Sequence, residues 1–465
     1  MSKSISNFLP MPIRGLQTAS VVCICGLGVT QAIAVPDSES ENTVLIDRIE
    51  ALEKMLVRQS ESLEAATKTA TQVRREKKQL LMDDARKRTH LRASDARLLA
   101  GHDGESFYLS SGDSDFKMNI GGLMQYRYIG NFRGDESGRP SGSSPDDNGE
   151  GGFEFRRIEL AISGETADSK IQYLFVIATE DGAAGVEQII AQDVKVSYAL
   201  NENWTIATGR YFAPLLREEL IGGGGSLAVA LSYMNNELSI GRGEGVSLLY
   251  SGKNIRTHLY FSDGAGSGGG GGVNNTFSDA SDFAVTGRVD FRLAGEWDQW
   301  GDLSAEGDRG AFIGVAAHYE HGESGDSMTS NDFKLFAWTV DASYEANGLH
   351  IYGAVAGKHF NNTSTADTDN IGAILQAGYR IPDTRYEPFA RGEVLFFDDN
   401  LGYVEDTVKL LTLGTNYHYN SRVKFAGDLV WAMDPIPTDS LNAGLLADGV
   451  KDNQVSLRLQ AQIKF

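Results

Sequence analysis

The stretch Gln454-Val455-Ser456-Leu457-Arg458-Leu459-Gln460-Ala461-Gln462-Ile463-Lys464-Phe465 decides the fold. Apolar residues hold every odd position from Val455 to Phe465, and Gln, Ser, Arg and Lys hold every even one. A period of two belongs to a strand with one apolar and one wet face, and no helix can use it. Strands of about ten residues that alternate apolar-out and polar-in build transmembrane barrels. The stretch therefore predicts an all-β transmembrane barrel, with its last strand closing against the strand near Asp115, because an unpaired edge in lipid is untenable.

The 465 residues suffice for one large barrel plus an appendage. Hydrophobic content is 41% and mean hydropathy is -0.26. No run of about eighteen apolar residues occurs beyond the N-terminus, so spanning helices are excluded, whereas a barrel dilutes its lipid face with its lumen face. Fifty-three Gly against ten Pro suit many strands and tight turns.

Residues 1–34 read as a signal peptide: Lys3 and Arg14, an apolar core from Leu16 to Val29, then Ala32-Ile33-Ala34 as a cleavage site. Both cysteines, Cys23 and Cys25, fall inside it, so disulfides and thiolate metal sites are not expected in the mature chain. Losing Lys3 and Arg14 takes the formal charge from -21 to -23, which disfavours nucleic acid as a partner. After a linker, 35–44, the residues Leu45, Ile49, Leu52, Leu56, Gln59, Leu63, Ala66, Ala70, Val73, Lys77 and Leu80 trace a heptad seam. This predicts a coiled coil over 45–100, α-helical and self-associating, whose basic end carries Arg86, Lys87, Arg88, Arg92 and Arg97. A solvated helix end or contact with an anionic polymer or lipid headgroup both fit that end.

From 105 to 465 the helical period vanishes. Strand-like runs begin near Asp115, Phe153, Ser169, Ala191, Asn203, Gly243, Asn254, Ser281, Gly310, Asp332, Gly348, Asn370, Arg385, Asp406, Arg422 and Asp452. That is about 16 antiparallel strands, an even number as bacterial barrels require. Tight connections alternate with long ones, among which we place Arg133–Gly152, Gly264–Ala280, Glu296–Arg309 and Asp434–Lys451. Parity within each strand sends Arg127, Arg157, Arg256, Arg288, Arg292, Arg391 and Arg458 inward with several lysines, about fifteen cations in all, against about eight acids including Asp290 and Glu393. Rings of Arg and Lys favour anions. Pairs such as Arg288 with Asp290 or Arg391 with Glu393 could equally be neutralising ladders. Ala213-Pro214-Leu215-Leu216-Arg217-Glu218-Glu219-Leu220 breaks the strand rhythm as a Pro-initiated helical turn, lying either outside the rim or inside the bore.

Phe153-Glu154-Phe155-Arg156-Arg157 opening a strand, Gly209-Arg210-Tyr211-Phe212-Ala213-Pro214-Leu215 ending one, and the aromatic C-terminus resemble the phosphate-selective porins O and P over roughly residues 105 to 465. The resemblance implies a trimeric outer-membrane barrel narrowed by inward-folded loops and lined by cations that pass phosphate or other anions. It makes Arg156, Arg157 and Arg210 pore-lining, with Arg217 and Arg242 added by proximity. Gly222 to Gly225 stand where the family carries a dense lysine cluster. Phe465 is expected to be the assembly signal read by barrel-insertion machinery.

No cofactor or metal motif stands out. His318-Tyr319-Glu320-His321 lacks partners at zinc spacing, and Asp367-Thr368-Asp369-Asn370 and Asp146 to Glu150 depart from the twelve-residue calcium loop. The expected function is a porin for small anions such as phosphate, the alternatives being a general-diffusion porin or an envelope tether acting through the coiled coil.

Overall fold

The computed structural model of the chain describes residues 99–102, 106–111, 116–133, 149–166, 169–181, 187–264, 281–303, 309–324, 331–363, 366–403, 405–437, 440, 443–447 and 453–465. The expected signal peptide, linker and coiled-coil seam lie outside these residues.

Among the described residues, eighteen strands form one sheet. A short hairpin comes first, β1 (Leu99–His102) and β2 (Phe107–Ser110). The wall then runs β3 (Phe116–Phe132), β4 (Gly149–Thr166), β5 (Ile171–Asp181), β6 (Glu187–Ala199), β7 (Trp204–Phe212), β8 (Arg242–Ser251), β9 (Ile255–Ser262) and β10 (Phe283–Ala294). It continues through β11 (Gly310–Ser324), β12 (Asn331–Ala346), β13 (Leu349–Asn362), β14 (Thr368–Tyr379), β15 (Tyr386–Phe396), β16 (Thr407–His418), β17 (Val423–Ala432) and β18 (Gln454–Lys464). From β3 onward each strand pairs antiparallel with the next, and β18 pairs back on β3 from Val455↔Phe132 to Lys464↔Leu123. These sixteen strands, β3 to β18, close a barrel, and each begins within a few residues of its expected start.

The face assignment of the last strand is realised residue by residue. Ser456, Arg458, Gln460 and Gln462 are buried toward the lumen, while Leu459 and Ile463 stand exposed on the outer surface. Leu259, Phe261, Leu375, Leu413, Phe425 and Leu429 extend that outer apolar face around the barrel. An apolar belt of this kind suits lipid, where a charge at the midplane would cost about 2–4 kcal/mol.

One rim carries tight turns. Asn347-Gly348, with φ of 50 and 82°, joins β12 to β13 as the two-residue hairpin that needs positive φ at both positions. The long connection between β10 and β11 starts from this same short-turn rim at Gly295, which corrects its grouping with the loops of the other rim. Its described part carries a 3-10 turn, Trp297–Gly301, that meets Arg217 in the bore. The β1–β2 hairpin was not anticipated either. β2 pairs with β3 over Phe107↔Ile120 to Ser110↔Lys117, the part of β3 that β18 leaves uncovered, and the Phe465 backbone forms the last β18 rung on Gly122.

Candidate solute channel

Between β7 and β8 the chain turns inward. Residues 213–241 carry two short helices, α1 (Arg217–Ile221) and α2 (Tyr233–Leu238), the second capped by the Ser232 hydroxyl accepting from the Asn235 amide. Leu215, Leu216, Leu227, Tyr233, Met234 and Leu238 pack against inward wall residues such as Ala354, Ile374, Leu395, Leu410 and Val430. Of the two placements open for the Pro-initiated turn, the bore is the one found.

Much of this segment is irregular, so its backbone polar groups need partners from elsewhere. The wall supplies them. Lys424 Nζ donates to Ser226 O at 2.8 Å, Asn416 Nδ2 to Leu227 O at 2.9 Å, Arg391 Nη1 to Ala230 O at 3.0 Å and Arg288 Nη1 to Leu215 O at 2.8 Å. Carboxylates serve the donors: Asp428 accepts from the Val229 amide and Glu393 from the Met234 amide, both at 3.0 Å. The short-rim turn meets the segment from the other side. Arg217 donates to Trp300 O at 2.9 Å and the Leu303 amide donates to Gly225 O at 3.1 Å.

With that side filled, the open space lies eccentrically along β3 to β6, a cavity of about 1790 Å³. Arg127, Arg156, Arg157 and Arg242 line it together with Glu150, Glu154, Glu159, Asp193 and Glu219. A register shift puts Arg156 at a β-bulge: Gln125 pairs with Arg157 and Tyr126 with Phe155, leaving Arg156 as the extra residue. Two consecutive arginines thereby reach the same cavity, which strict alternation forbids. A second register shift leaves Gln192 on β6 as an extra residue, and it lines the same cavity.

Three of the cavity arginines form ion pairs. Arg127 binds Glu154, Arg157 Nε lies 3.5 Å from Glu159, and Arg242 Nε lies 2.8 Å from Asp193 with its guanidinium over the Phe212 ring. Arg157 is within electrostatic reach of Arg127, Arg156 and Arg242.

Other expected pore residues are placed differently. Arg288 is buried between Asp290 and Asp341 at 2.7 and 2.8 Å, Arg391 pairs with Glu393 at 3.0 Å, and Arg458 with Asp428 at 2.7 Å. For these the neutralising ladder is what the structure shows. Arg217 is 1% exposed, bonded to Ser343 Oγ at 2.7 Å and stacked near Trp300. Arg210 shares a small outer recess with Val194, Thr208, Glu244 and Val246, on the face opposite Tyr211, and pairs with Glu244 at 3.7 Å. Arg256 and Arg292 flank the Trp297 ring beside the short rim. The acids Glu150, Glu154, Glu218 and Glu219 were absent from the sequence tally, because three sit at strand starts or on an infolded helix where parity assigns no face, and Glu154 precedes the bulge.

No protein-family model and no curated protein sequence matches the chain. Among solved structures, the anion-selective porin from Comamonas acidovorans superposes with a TM-score of 0.51 at 14% identity, over 75% of this chain and 100% of that one. The fold is that of the outer-membrane porins. OprB of Pseudomonas putida agrees at a TM-score of 0.51 and 10% identity over 76% and 95% of the two chains. OmpT of Vibrio cholerae, in its trimer form, gives 0.50 and 10% over 75% and 99%.

Proposed function

We propose that the chain forms an outer-membrane porin whose channel runs between the β3–β6 wall and the infolded segment, passing small hydrophilic solutes with a modest preference for anions such as phosphate. The observation that carries this reading is the convergence of Arg127, Arg156, Arg157 and Arg242 on one cavity, which the uncharged run Gly222 to Gly224 also lines. The pairing of three of them with carboxylates keeps the preference modest. The same pairing favours general diffusion without charge selection as the second reading. The coiled coil over 45–100 would be periplasmic and would hold three copies together, and the barrel would reach the membrane through the assembly machinery that handles such folds.

Reversal potentials across a planar bilayer in a salt gradient test the proposal. Anion preference is expected in the wild-type channel and a shift toward cations in the Arg156→Ala, Arg157→Ala double variant. Conductance without either effect supports general diffusion, and cation preference in the wild type removes the anion claim.

A further inference from the structure

The glycine run Gly222 to Gly225 passes close against the wall at the seam between β3 and β18. The fully buried Gln125 is the centre of that contact. Its Nε2 donates to Gly223 O at 3.0 Å and to Gln462 Oε1 at 2.7 Å, and its Oε1 accepts from Arg157 Nη1 at 2.9 Å. Gln462 in turn donates from Nε2 to Gly224 O at 3.3 Å. Two amides, one from each strand of the seam, thus clasp successive carbonyls of the infolded segment, and both N–H donors and the carbonyl oxygen of Gln125 are engaged.

The Arg157 guanidinium lies in the space that a side chain at 223 would occupy. A Cβ on Gly223 would fall 2.2 Å from Arg157 Nη1, and one on Gly224 would fall 3.1 Å from Lys464 Cε. A side chain at 223 could therefore fit only by pushing the Arg157 guanidinium aside, a matter of close approach rather than of backbone torsion. We propose that Gly223 and Gln125 are specificity-determining positions: together they fix how far the Arg157 guanidinium extends into the channel, and with it the width and charge of the solute path. The inference rests on the channel reading above and adds residues that carry no charge themselves.

Single-channel conductance and reversal potential in potassium chloride test it, with folded barrels selected by heat-modifiable mobility on gels. Gly223→Ala should displace Arg157 and change conductance by about twofold, a size set by one charged group at a narrow wall. In an Arg157→Gln background the same substitution should have no further effect. Gly392→Ala, where an added Cβ meets nothing within 4 Å, should leave conductance at the wild-type value. Wild-type conductance in Gly223→Ala, or an equal change with and without Arg157, overturns the proposal. If Gly223→Ala yields no folded barrel, Gln125→Leu serves instead, with a shifted reversal potential and noisier open state expected and wild-type behaviour overturning it. A wild-type protein that conducts nothing removes the channel reading itself, whereas conductance with additive substitutions removes only this inference.

Discussion

Asp428 on β17 and Arg458 on β18 are direct cross-strand partners and form a two-point ion pair inside the barrel, Nε to Oδ1 at 2.7 Å and Nη2 to Oδ2 at 2.8 Å. Both side chains are fully buried, and each also holds backbone, Asp428 the Val229 amide and Arg458 the Ala443 carbonyl. Removing one partner leaves an uncompensated buried charge, which costs about 3–5 kcal/mol. Asp428→Ala should therefore lower the unfolding midpoint in denaturant strongly, and Arg458→Gln should leave the reversal potential unchanged. A selectivity change without a stability change would return Arg458 to the channel lining.

The same logic applies to Arg288, held between Asp290 and Asp341 while donating to Leu215 O. Arg288→Gln should destabilise the folded barrel and loosen residues 213–241, seen as faster proteolysis within that segment, with little effect on ion preference in the molecules that remain folded.

Glu219 lies on α1, outside the spanning strands, and lines the cavity. Burial pushes its carboxyl up to about 7, opposed by the Ser239 hydroxyl that donates to it and by Arg242 and Lys358, and reinforced by the neighbouring Glu218. The folded protein holds this proton more tightly than the unfolded chain, so its contribution to stability is present below pH 4.5 and is lost as the pH rises through about 7. The same titration adds a negative charge to the channel. Anion preference should fall between pH 6 and 8, roughly centred on the raised value, and Glu219→Gln should flatten that profile.

At the seam, β2 occupies the β3 edge that β18 leaves uncovered, and Phe465 supplies the last rung on Gly122, its amide donating at 3.1 Å and its carbonyl accepting at 2.7 Å. Replacing 99–111 with a Gly/Ser linker exposes that edge, and should lower the temperature at which the folded gel band converts to the unfolded one. Deleting Phe465 should reduce the yield of folded barrel while leaving the conductance of the assembled fraction intact. An unaltered transition and yield would show that neither contact contributes to closure.

Much of the barrel was legible because its signal is local. In β9 the alternation of Ile255, Leu259 and Phe261 with Arg256, His258 and Tyr260 depends only on adjacent residues, and the structure leaves the first three exposed and the other three less accessible, as alternation requires. The Arg156 bulge was not legible, since one inserted residue resets parity and leaves no mark in an arginine pair. The inward fold of 296–303 was hidden for a related reason: length suggested a rim loop, whereas the backbone of Trp300 and Leu303 is bonded to partners far away in the chain, Arg217 and Gly225.

The alternation running from Val455 to Phe465, repeated along the chain, determined by itself that this protein is a closed barrel and which way Arg458 points. Only the tertiary structure decided what Arg458 does there. Parity divides inside from outside, but an inward charge meets water or a buried carbonyl according to what fills the bore. Residues 213–241 fill one side of it, drawing Arg288, Arg391 and Arg458 into structural pairs and leaving Arg127, Arg156 and Arg157 on the wall of the open cavity.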